Sequence, residues 1–159
     1  MRPKYILLLI FLFSALASPA KTLVEKYTDM KDVTSIYISK TMLKMFSGMN
    51  VNTGDVNISS VIPKLQSINL ITTEKTNVAD MMIKDFQAIK NDKKYEPLMI
   101  IKDEDSNVVM YSKYKTKDII DEVLILITEN SSNSKVESAT FISLIGNLTL
   151  EDLEKLSKN

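Results

Sequence analysis

The chain predicts an α+β fold: a mixed, largely antiparallel sheet with helices packed on one face, in the order β-α-β-α-β-β-β-β-α. Three observations carry this. Strand-like runs at Thr34–Ser39 and Ile68–Thr73 are each followed by a helical stripe, Lys40–Ser47 and Asn77–Lys90. From Tyr95 onward the period changes, and four strand-like runs follow one another. Helices and a run of strands segregated in this way favour α+β. The 159 residues also contain no repeat, low-complexity tract or Pro-rich linker, which suits one domain.

The first element is an address label. Arg2 and Lys4 precede a run from Tyr5 to Ala17 that is apolar apart from Ser14, and Ser18-Pro19-Ala20 follows. Charged start, short apolar middle and small-residue exit describe a signal peptide over residues 1–20. As a helix the run reaches about 20 Å, short of a bilayer core of roughly 30 Å, so no membrane span is expected after cleavage. Ala17 and Ala20 both fit as the cut. The remainder, 21–159, is expected as a single domain in a secreted, periplasmic or extracellular-surface setting.

Lys21 to Lys31 reads as a short polar lead-in with Leu23, Val24, Tyr27 and Met30 at helical spacing. Thr34–Ser39 alternates, placing Ile36 and Ile38 on one face of a strand. Met42, Met45, Phe46 and Met49 then stripe a helix that Gly48 would stop. Asn50 to Asn57 is loop-like. Ser59 or Ser60 would cap a short helix through Leu65, with Pro63 tolerable only in its first turn.

Ile68–Thr73 is the second strand. In the helix Asn77–Lys90, Val78, Met81, Met82, Phe86 and Ile89 form one apolar stripe. Leu98–Lys102 and Asn107–Tyr114 form a hairpin with its tip at Asp103–Ser106. Val123–Thr128 and Ala139–Ile145 are apolar on both faces, the pattern of central strands, with a long loop Glu129–Ser138 between them. Thr149 and Asp152 resemble a capping box opening a final helix with Leu150, Leu153 and Leu156. Strands apolar on both faces need cover on both. Terminal segments or a second copy would supply it, so a homodimer stays open.

Composition removes much chemistry. His and Cys are absent and Gly occurs three times. No disulfide, thiol nucleophile, imidazole relay or Gly-rich phosphate loop can be written, and no cofactor or metal site is expected. Lys and Arg equal Asp and Glu at 20 each. Losing Arg2 and Lys4 with the leader leaves a net charge of −2, without the basic footprint that nucleic acid requires.

Asp32-Val33-Thr34-Ser35-Ile36-Tyr37-Ile38-Ser39-Lys40, with Met42, Leu43 and Met45 after it, resembles a family of small secreted bacterial proteins common in Bacteroidota. The closing Ile145-Gly146-Asn147-Leu148-Thr149-Leu150-Glu151-Asp152-Leu153 is similar to the same family's end. It is the domain of unknown function 4252 family. The resemblance implies a Gram-negative periplasmic or surface setting, and proximity to extracytoplasmic sigma factors and their membrane inhibitors, hence envelope signalling. It brings no activity and no catalytic residues.

Candidate sites are few. Asp103-Glu104-Asp105-Ser106-Asn107 begins like a calcium loop, but Val108 and Tyr114 stand where Gly and Glu belong, so a solvated hairpin tip is expected. Ser112/Lys115 and Ser132/Lys135 have nucleophile–base spacing, but three residues along a strand point to opposite faces, and the second pair lies in a loop. Asp118, Asp121, Glu122 and Glu129 are candidate carboxylates for glycan hydrolysis, with Tyr37, Tyr95, Tyr111 and Tyr114 as stacking partners. The methionines of the two helices read as core rather than a copper(I) site. Tyr111, Lys113 and Lys115 would share one strand face, as an interaction surface or as protection of a sheet edge.

The expected function is that of a non-enzymatic extracytoplasmic binding module whose partner is an envelope protein. Its candidate surfaces are the Tyr111/Lys113/Lys115 face and the Asn50–Asn57 loop. A carboxylate-dependent glycan hydrolase and a self-assembling surface or adhesion subunit are the alternatives.

Overall fold

Leu23 and Tyr27, one helical turn apart, turn the polar lead-in into a true helix, α1 (Pro19–Thr28). The computed structural model describes residues 19–46, 52–53, 56–57, 61–131 and 135–157. Strand β1 (Thr34–Ser39) and helix α2 (Lys40–Phe46) follow where the periodicity places them. Asn52–Thr53 (β2) pairs with Val56–Asn57 (β3), so part of the expected loop is a small ladder. The 3₁₀ turn Ile62–Lys64 holds Pro63 in its first turn and leads into β4 (Leu65–Thr73). Ser59 and Ser60, the expected caps, lie outside the described residues, as does Gly48. Helix α3 (Thr76–Asn91) is followed by β5 (Tyr95–Lys102), β6 (Ser106–Tyr114), β7 (Ile120–Asn130), β8 (Val136–Leu148) and α4 (Leu150–Ser157). The last two strands take up half of the loop expected at Glu129–Ser138.

Six strands form one sheet in the order β1-β4-β8-β7-β6-β5, and every neighbouring pair is antiparallel. The α+β class is as read. The helices divide between the two faces, however, where the sequence reading had them on one. Beneath α1 and α3, Ile71, Phe141, Leu124 and Tyr111 meet Leu23, Tyr27, Met82 and Phe86 in the larger core. Phe86 is the hub, edge-on to Tyr111 at 5.9 Å and to Phe141 at 6.0 Å between ring centroids. Such pairs add about 1 kcal/mol each beyond burial.

On the opposite face α2 (Leu43), the 3₁₀ turn (Ile62) and α4 (Leu153) cover one end of the sheet, over Ile38, Ile68, Leu144 and Val123. Gly146 lets these layers close. A Cβ there would stand 2.6 Å from the Lys64 carbonyl oxygen, where β4 leaves the turn. Thr149 caps α4 as its spacing predicts: Asp152 Oδ2 accepts from the Thr149 backbone N at 2.8 Å, and Thr149 Oγ1 accepts from the Asp152 N at 3.2 Å. Asp32 enters β1 with φ 63°, a left-handed conformation that Asp tolerates, and its carbonyl accepts from the buried Thr73 hydroxyl.

Candidate functional site

Two features stand apart from ordinary packing. The first is a cleft of about 390 Å³ between α1 and the sheet, with Ala20, Val24 and Ile145 in its largely apolar wall and Lys113, Asp121 and Glu122 as its charged corner. Adjacent residues on a regular strand point to opposite faces. A register shift between Ile120 and Glu122 breaks that rule. Lys113 Nζ therefore lies 3.2 Å from Asp121 and 3.7 Å from Glu122. Glu122 is buried and also accepts from Tyr95 Oη at 2.8 Å and Ser143 Oγ at 3.0 Å. A buried carboxylate with an ammonium and two hydroxyl donors is well satisfied.

The second feature is the uncovered part of the α2/α4 face. Ile36, Leu70, Ile142, Ile125, Met110 and Met99 are successive cross-strand partners, one from each strand. A parallel row runs Thr34, Thr72, Thr140, Ile127, Val108 and Ile101. None of these twelve side chains is buried, and none is charged. Ile36 and Ile101 are each 47% exposed and Met99 41%. Thr72 Oγ1 and Thr140 Oγ1 hydrogen-bond to each other at 2.9 Å, so those hydroxyls are partly satisfied within the row. Among the described residues, the core under α2, the 3₁₀ turn and α4 takes in the neighbouring row at Ile38, Ile68 and Leu144 and reaches the first row only at Ile125 and Met110, which are partly buried against it. At the threonine end the band meets Glu74, Glu129 and Glu137 around a second hollow.

The residues singled out from sequence fall differently. Tyr111 and Lys113 do share a face, but it is the one beneath α3. Tyr111 is 4% exposed in the core and Lys113 is ion-paired, whereas exposed Lys115 lies past the end of β6. The three therefore do not compose one surface, and β6, between β5 and β7, is not an edge to be protected. Asn50–Asn57 lies largely outside the described residues. Ser112 is buried and Lys115 exposed, so that pair does not meet; Ser132 is outside the described residues.

Of the four acids, Asp121 and Glu122 come together, with Tyr95 and Tyr37 nearby. Glu129 bonds Ser138 at the far end, and Asp118 is exposed in the β6–β7 loop. At the hairpin tip Asp103 Oδ1 accepts from the Glu104 backbone N at 2.7 Å. No group of three or more acidic side chains among the described residues is placed to share a metal ion. Met42 and Met45 are exposed rather than core, with Leu43 the buried residue of α2; Met49 is outside the described residues.

A six-stranded antiparallel sheet that the described residues cover unequally on its two faces, with no long apolar helix among them, defines the class: a small α+β domain. The chain belongs to the family described as Domain of unknown function (DUF4252), whose profile matches residues 27–156. That span runs from Tyr27 in α1 into α4 and takes in every strand. No curated protein and no solved structure matches the chain.

Proposed function

We propose that this protein is a non-enzymatic, extracytoplasmic interaction module that binds an envelope protein, in envelope signalling, through its open sheet face. One observation supports the reading above the others: the unbroken apolar row from Ile36 to Met99, which crosses all six strands without a charge. Contiguous apolar surface of a few hundred Å² marks an interaction site in proteins that are otherwise soluble. The leader-like residues 1–20 support the setting.

Crosslinked pull-down of the tagged, processed protein from native envelope tests it. Wild type is expected to recover a specific partner, and Ile142→Asp, in the middle of the row, to reduce recovery at least about tenfold. Equal recovery by the two proteins would sink the reading.

A carboxylate-dependent glycan hydrolase is the competing reading, and the cleft beneath α1 is what favours it, since Asp121 and Glu122 both line it. Against it, Glu122 is buried and its oxygens already accept from Tyr95 and Ser143, whereas the general acid of that chemistry must reach the leaving-group oxygen.

A further inference from the structure

We infer that β1 is an acceptor edge, to which an extended segment of the envelope partner adds as a further antiparallel strand. This rests on the reading above that the partner is a protein, but it uses the end of the sheet rather than its open face. The two end strands, β1 and β5, differ in kind. β5 has the features that keep an edge from pairing: Glu96, Pro97 with no N–H, a register shift between Pro97 and Met99, and Lys102 closing the strand. β1 has none of them. Thr34-Ser35-Ile36-Tyr37-Ile38-Ser39 holds no charge and no Pro, and it pairs with β4 in unbroken register.

Alternate residues of an antiparallel strand turn their N–H and C=O groups to opposite sides, so half of the β1 backbone groups point away from β4. Among the described residues no strand takes that side. Thr34, Ser35, Ile36 and Tyr37 are all exposed, and consecutive residues point to opposite faces, so neither face is overhung there. Ile36 is 47% exposed and Tyr37 66%. Donors and acceptors at strand spacing are matched in register by another extended backbone, which is the chemistry of strand addition.

The strand already paired with β1 shows which side chains suit the position. Leu70 and Ile68 of β4 stand beside Ile36 and Ile38 on the α2/α4 face, and Asn69 stands beside Tyr37 on the other. A strand on the far side of β1 meets the same two faces. The segment it accepts therefore alternates, apolar beside Ile36 and Ile38 and polar beside Tyr37, and it continues the apolar row past Ile36.

Amide hydrogen exchange of the processed protein tests this, with a capped peptide copying Ser67–Thr73 as the probe. In excess peptide, the alternate β1 N–H groups turned away from β4 are expected to exchange at least about tenfold more slowly, while those bonded to β4 stay as they were. Ser35→Lys combined with Tyr37→Lys should abolish that protection and cut recovery of the envelope partner several-fold. Both side chains are exposed and lie on the face opposite the apolar row, so the charges oppose an added strand and leave the row intact. Unchanged exchange in wild type overturns the inference, whatever the variants do. So does protection that survives the two lysines, or that rises with protein concentration without peptide, which would give the edge to a second copy. Partner recovery separates the two readings. Loss on Ile142→Asp but not on the lysine pair keeps the open face and removes the edge, and the reverse keeps the edge and removes the face.

Discussion

Glu122 shows how one side chain ties three strands together. It accepts from Tyr95 of β5 and Ser143 of β8, and it faces Lys113 of β6. Glu122→Ala is expected to cost about 2 kcal/mol in denaturant unfolding, because the Tyr95 and Ser143 hydroxyls lose a buried acceptor, while Lys113 keeps Asp121. Glu122→Gln, which keeps the shape and one acceptor oxygen, should cost about half of that. If the hydrolase reading were right, Gln would instead leave stability near wild type and abolish glycan cleavage. At the other end of the chain Ala20 is 1% exposed in the core with Leu23 and Tyr27. Cleavage after Ala20 would remove a packed residue and the first turn of α1. If the leader is cleaved as proposed, N-terminal sequencing of the processed protein should therefore begin at Ser18; a start at Lys21 would refute this.

The helices are fastened by carboxylates. Lys26 and Tyr27 of α1 donate to Asp85 of α3, and Lys64 of the 3₁₀ turn donates to Asp152 of α4. Burial alone would push both carboxyls up. The Lys26 and Tyr27 hydrogen bonds with the nearby ammonium charges at Asp85, and those of Lys64 and Thr149 at Asp152, outweigh it, so both lie below the usual carboxylate range. A carboxyl lowered on folding contributes fully above its unfolded value near 3.9 and loses that contribution as pH falls toward its folded value. The melting temperature of wild type should thus drop more steeply below about pH 4 than that of Asp152→Asn, and parallel curves would contradict the assignment. Tyr27 is shifted the other way: burial first, and then the Asp85 hydrogen bond and charge, raise its hydroxyl above the ordinary phenol range.

At this scale much was legible in the sequence. The alternation of Thr34–Ser39, the stripe of Asn77–Lys90 and the Thr149/Asp152 box each reflect local chemistry and stand within a residue or two of their observed elements. Three features were not legible, because they depend on what lies across the sheet. The β7 register shift that turns Asp121 toward Lys113 leaves no mark in composition. The cover that buries Tyr111 comes from α3, distant in sequence. The open face emerges only when six strands are placed in register, since Ile36 and Met99 have no sequence relation to each other.

For the whole molecule, strand order matters more than strand content. The strands β5 to β8 form a meander of successive hairpins, whereas β4 reaches the sheet only by pairing with β8, as in Ile71 with Phe141. The segment carrying β1, α2 and β4 thus docks on the last strand of the chain. Truncation after Asn130 should leave the β1–β4 pair without β8 to dock on and abolish cooperative unfolding by circular dichroism; a cooperative transition in that fragment would show that the two halves are independent. That order carries a kinetic consequence: the β4–β8 ladder joins residues some seventy positions apart, as in Ile71 with Phe141, so the sheet is expected to close later than the β5–β8 meander of near neighbours assembles.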